Sequence, residues 1–116
     1  MRNEVILTGR VAAVAVERRL PSGDVLICTR LVIDRPGRRR ATGSARSRQR
    51  VDAIDCVGWT ARVQRTMRGW QPGDQVYVEG SIRRRFYRTA TGSAVSRVEV
   101  EVSRAKRASA DAAGDP

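Results

Sequence analysis

The chain has 116 residues, enough for one domain with one core and too few for two ordinary ones. It carries 23 Lys and Arg against 12 Asp and Glu, a net charge of +11, which puts a polyanion first among partners and nucleic acid first among polyanions. It has no histidine, which removes histidine bases, mixed zinc sites and the common serine or cysteine triads, so an enzyme is a poor first choice.

An anionic membrane would also attract this charge, but no apolar run is long enough to span one and no lysine-rich amphipathic helix stands out. Arginine supplies nearly all the positive charge. That bias suits bidentate phosphate contacts and stacking on bases, and a GC-rich genome would produce it equally well. The start, MRNEVILTGR, enters a strand without a signal-peptide layout, so a cytoplasmic protein is expected.

Asn3 to Val16 reads as one long strand, with Val5, Leu7, Gly9 and Val11 on one face and Ile6, Thr8 and Arg10 on the other. Pro21-Ser22-Gly23-Asp24 is a turn signal, with glycine placed for a left-handed conformation. The second strand, Asp24 to Asp34, puts Val25, Ile27, Thr29, Leu31 and Ile33 toward the core and Leu26, Cys28, Arg30 and Val32 on the opposite face. From Arg35 to Arg50 follow seven arginines and no acid: Arg35, Arg38, Arg39, Arg40, Arg46, Arg48 and Arg50. So much charge of one sign is unfavourable unless something neutralises it. A basic arm closing over a nucleic-acid backbone is therefore preferred to a solvated loop without a partner.

Val51 to Val57 is the third strand, with Ile54 and Cys56 on one side and Val51, Ala53, Asp55 and Val57 on the other. Thr60 reads as the N-cap of a helix from Ala61 to about Arg68 whose apolar stripe is Val63 and Met67. The fourth strand begins at Asp74, alternates through Val76 and Val78, is interrupted at Gly80 and continues into Arg83, Arg84, Arg85, Phe86, Tyr87 and Arg88. Cations beside flat rings suit phosphates and stacked bases. After a turn over 89–93, the last strand, Ala94 to Val102, predicts Val98, Val100 and Val102 inward and Arg97, Glu99 and Glu101 outward. Residues 104–116 lack an apolar pattern and read as a short disordered tail behind a domain over 1–103.

An all-β chain of five strands with one short helix between the third and fourth has the order of an OB-fold, a Greek-key barrel that binds its ligand across the second and third strands and the adjoining loops. Four segments carry a closer resemblance. NEVILTGRV is similar to the opening of bacterial single-stranded DNA-binding (SSB) proteins, LPSGDVLICTRLVID to their turn and second strand, VDAIDCVGW to their third strand, and GDQVYVEGSIRRRFY to their fourth strand and hairpin. The resemblance implies non-sequence-specific single-stranded DNA binding in replication, recombination or repair, a homotetramer and no cofactor. An OB-fold subunit that binds RNA, or that organises a nucleoprotein complex, is the alternative. The resemblance puts Tyr87 at the position of a stacking tryptophan, while Val51, Val57 and the Arg35-Pro36 start of the loop stand where the family carries rings. Family members also end in an acidic tip that recruits partner enzymes. This chain stops at Asp115-Pro116, so a short second paralogue without tip-mediated recruitment is expected.

The candidate nucleic-acid contacts are thus Arg10, Arg30, the seven loop arginines, Trp59, Arg83, Arg85, Tyr87 and Arg88. Trp59 and Trp70 sit at the joints of the helix, where packing is the default; Trp59 is the better base contact because it follows the third strand. Phe86 and Tyr87 alternate to opposite faces, so one of them is expected to pack, and the family resemblance implies that Tyr87 faces the ligand and Phe86 is the packed ring. Asp52 with Asp55, and Glu99 with Glu101, could pair around a metal, but no third ligand accompanies either. Cys28 and Cys56 could approach across neighbouring strands, though nothing nearby would activate a thiolate.

Overall fold

The computed structural model describes residues 1–35 and 51–108, and of Tyr87 the backbone only. Six strands and one helix follow in chain order: β1 (Val5–Val11), β2 (Val16–Arg19), β3 (Val25–Asp34), β4 (Val51–Gly58), α1 (Ala61–Arg68), β5 (Gln75–Arg88) and β6 (Ala94–Arg107). The sheet runs β1-β5-β6-β4-β3-β2, and β1 also pairs with β3, so the hydrogen-bonded ring through β1, β5, β6, β4 and β3 closes on itself. With the helix between its third and fourth strands, this ring has the OB-fold order expected from the sequence.

Inside the ring lie Val11, Ile27, Leu31, Cys56, Val76, Val78, Val100 and Val102, contributed by every strand of the barrel. The helix closes one end. Thr60 Oγ1 accepts a hydrogen bond from Val63 N at 3.2 Å, which caps the first turn, and the stripe of Val63 and Met67 is buried with Trp70 against the strands. Burying those two helix side chains contributes about 2 kcal/mol each. The Gln64 side-chain amide donates to the carbonyls of Val25, Gly58 and Trp59 at 2.8, 3.0 and 3.2 Å, which ties the helix to the ends of β3 and β4.

The first strand differs from expectation. It ends at Val11, and the chain then crosses to a separate strand, β2, which pairs with β3 from Val16 opposite Cys28 to Arg19 opposite Val25. All four β2 residues are exposed, so hydrophobic alternation has nothing there to record. The turn that follows is as expected, with Gly23 at φ +96°.

The last strand is longer than expected. β6 continues to Arg107, and Val76 to Glu79 of β5 pair with Arg107 to Arg104, so residues 104–107 belong to the barrel and not to a tail. Two of its side chains keep the side that alternation gives them but not the expected burial: Glu99 is buried and Val98 is half exposed. Their causes lie in the hairpin. At Gly80 the β5–β6 register shifts, with Glu79 opposite Arg104 and Gly80 opposite Val102, and the skipped Ser103 donates from its hydroxyl to the Glu79 carbonyl at 3.1 Å. Beyond this bulge β5 leaves β1. Asn3, just before β1, bridges the gap, its side chain donating to Ile82 O at 2.9 Å and accepting from Ile82 N at 2.8 Å. On the hairpin beyond, Ile82, Val98 and Phe86 are exposed on one side, and Arg83, Arg85, Arg97 and Glu99 share the other.

The two cysteines do not form a pair. Cys28 lies opposite Val57 and Cys56 opposite Thr29, so alternation puts the thiols on opposite sides of β3 and β4, and both are free. Burial pushes the Cys56 thiol up to about 12 and also raises that of Cys28, which keeps both protonated and unreactive near neutral pH.

Candidate nucleic-acid interface

Strand register decides which residues share the outer face of the barrel. On β3 and β4, Arg30 stands opposite Asp55 and Cys28 opposite Val57; on β4 and β6, Val57 stands beside Glu101; on β5 and β6, Arg83 faces Glu99 and Arg85 faces Arg97. Alternation therefore brings Arg30, Asp55, Arg97, Glu99, Glu101, Arg83 and Arg85 onto one continuous surface. Arg10 joins its edge through the β1–β3 pairing with Val32, and ion-pairs with Asp34 at 3.5 Å.

The centre of this surface is Trp59, just past the end of β4. The Arg85 guanidinium lies over its ring, 5.2 Å from the centroid. Arg85 Nε also donates to Glu99 Oε2 at 2.6 Å, and the Glu99 side chain is only 5% exposed. A buried carboxylate thus holds a guanidinium over an indole, a cation–π contact of the kind that adds roughly 1–2 kcal/mol when shielded from water. The indole Nε1 of Trp59 is buried without an acceptor among the described residues. Next to this stack a cleft of about 520 Å³ is lined by Trp59, Arg83, Arg84, Arg85, Phe86 and Glu101.

The remaining arginines are held by acids. Asp55 receives Arg30 Nε at 2.9 Å on one oxygen and Arg97 Nη1 at 3.7 Å on the other. Arg83 Nε meets Glu101 Oε1 at 3.1 Å. The acidic pairs read from the sequence as remote candidates for metal chemistry are therefore partners of arginine; Asp52 too is paired, with Arg35 at 3.3 Å.

Of the predicted contacts, Arg10, Arg30, Trp59, Arg83 and Arg85 come together on this surface. Arg35 does not, because its partner Asp52 stands opposite Ile33, on the other side of β3 and β4 from Arg30. Arg88 alternates to the Phe86 side of the hairpin and donates from Nη1 to the Gly92 carbonyl at 3.1 Å. Phe86, expected to pack, is 73% exposed and lines the cleft. Tyr87 pairs with Val95 through its backbone, and its side chain lies outside what the structure describes. Arg38, Arg39, Arg40, Arg46, Arg48 and Arg50 also lie outside the described residues. Trp70 is buried in the core, as expected for a tryptophan at a joint. Arg97 was missed. Its signal was present, since it sits one strand period before Glu99 and two before Glu101.

The surface can accept a chain of phosphates along its guanidiniums and a flat base against Trp59 or Arg85, with Phe86 reaching the cleft from the other side of the hairpin. No helix among the described residues is long and apolar enough to cross a membrane.

The model of the "Single-strand binding protein family" matches residues 2–108. Among solved structures, a Plasmodium falciparum SSB in complex with ssDNA matches with a TM-score of 0.67 and 19% identity, covering 92% of this chain and 93% of that one. No curated protein matches the chain.

Proposed function

The chain belongs to the single-strand binding protein family, and from that membership we propose that it binds single-stranded DNA without sequence preference across the outer face of β3, β4, β6 and β5. The observation that carries the placement is the stack of Arg85 on Trp59 within a surface of arginines drawn from three strands. Phosphates run along Arg30, Arg83 and Arg97, and bases stack on the Trp59–Arg85 pair and on Phe86. Tyr87 adds a further ring at the position that the family resemblance assigns to stacking. The arginines of 36–50 hold the backbone of the strand. The protein acts as a binding module without catalysis, in the cytoplasm or nucleoid, and assembles as a homotetramer in keeping with its family.

Fewer rings than usual leave more of the affinity to charge, so binding weakens as ionic strength rises. The test is competition for a labelled oligo-dT by unlabelled oligo-dT, oligo-rU and duplex DNA at two salt concentrations. Oligo-dT is expected to compete at least about tenfold better than duplex, with affinity lower at the higher salt. Equal competition by duplex contradicts single-strand binding, and stronger competition by oligo-rU favours the RNA-binding alternative.

A further inference from the structure

Four arginines of the proposed DNA surface meet three carboxylates. Asp55 holds Arg30 and Arg97, Glu99 holds Arg85, and Glu101 holds Arg83. The surface is thus close to neutral although the chain as a whole is at +11. Each carboxylate occupies guanidinium donors that a phosphate oxygen would use. Asp55 does so twice: its two oxygens reach arginines from two different strands, β3 and β6, in the bridging arrangement that a phosphodiester uses between two guanidiniums.

We propose that Asp55, with Glu101 in a lesser role, is a built-in competitor for the phosphates of the bound strand, limiting affinity and salt dependence and so favouring release. The physical reason is exchange. An arginine already neutralised by a carboxylate gains little from a phosphate, because one charge-assisted pair is broken as another forms, and the displaced carboxylate then repels the incoming anion. Fewer counterions are also released from the DNA per arginine engaged. The carboxylates meanwhile hold the guanidiniums in place. Asp55 is a positioning residue, acting on DNA through Arg30 and Arg97. Glu99 differs from the other two, since its burial ties it to the packing of Arg85 on Trp59.

This inference rests on single-stranded DNA binding by the same face, and the experiment separates the two. Binding of oligo-dT to the parent chain, Asp55→Asn and Glu101→Gln is measured at four salt concentrations, with the melting temperature of each as a control for folding. Asp55→Asn releases two arginines and is expected to bind about fivefold tighter at moderate salt, with a slope of log affinity against log salt steeper by up to about 1.4. Glu101→Gln releases one arginine, Arg83, and is expected to steepen the slope by about 0.7. A folded Asp55→Asn with unchanged or weaker affinity and an unchanged slope overturns the proposal. If Asp55→Asn does not fold, an unchanged slope for Glu101→Gln overturns it equally. Failure of the parent chain to bind oligo-dT at all would instead overturn the proposed function.

Discussion

Gly80→Ala is expected to destabilise the folded chain by about 3 kcal/mol or more, because the strands leave no room for a methyl group there. A Cβ at this position would run into the carbonyl oxygen of Glu101, and would lie 2.9 Å from its carbonyl carbon and 3.1 Å from Val102 Cα. These atoms are backbone, so no side-chain rotation relieves the clash. Relief requires β5 and β6 to separate at the bulge where the register shifts and where β5 leaves β1. Both the closure of the barrel and the aim of the Arg83–Arg85 segment depend on this bend. Urea unfolding measures the effect, and a variant within about 1 kcal/mol of the parent would show that the approach is not as close as described.

The second large effect is at Arg85. Removing its side chain leaves Glu99 buried without a partner, which costs about 2 kcal/mol; this lies below the usual range for a buried pair because the Arg85 side chain is 27% exposed. It also removes the stack on Trp59, so binding of oligo-dT is expected to weaken by about 1–3 kcal/mol. The two losses are separable. In Arg85→Leu combined with Glu99→Leu no charge remains buried, so stability is expected to recover toward that of the parent while DNA affinity stays low. Recovery of both would mean that Arg85 serves the fold alone. Recovery of neither would mean that Glu99 contributes to the face in its own right.

How far the sequence reaches is clearest at particular places. The helix is read with its cap and stripe because Thr60, Val63 and Met67 signal locally, through an N-cap hydroxyl and a four-residue spacing. β2 is missed because an edge strand with every side chain exposed is held by backbone hydrogen bonds, which leave no hydrophobic trace. For Arg104 to Arg107 the composition is that of a tail, yet the backbone pairs with Val76 to Glu79, and Ala105 packs against the core. Glu99 shows a different limit. Alternation puts it on the outer face correctly, but exposure there depends on Arg85 and Trp59, which come from elements distant in sequence.

The candidate site follows the same division. Arginines within alternating strands, Arg30, Arg83 and Arg85, are legible because the strand period fixes their side. Which acid holds which arginine is not legible, because pairing across β3, β4, β5 and β6 needs the register. Phe86 is misassigned for a related reason: at the far end of the hairpin, beyond the reach of β1, neither side of β5 faces a core.

Trp59 offers the most direct measurement. The chain has two tryptophans, and Trp70 is buried in the core at 2% exposure, so a Trp70→Phe variant that folds reports from Trp59 alone. Titrated with oligo-dT, its emission is expected to be quenched saturably, with a midpoint that matches the affinity measured from the labelled oligonucleotide and that moves to higher oligo-dT concentration with salt. Binding of the labelled oligonucleotide without any change in Trp59 emission would contradict the placement of single-stranded DNA on this face of the barrel.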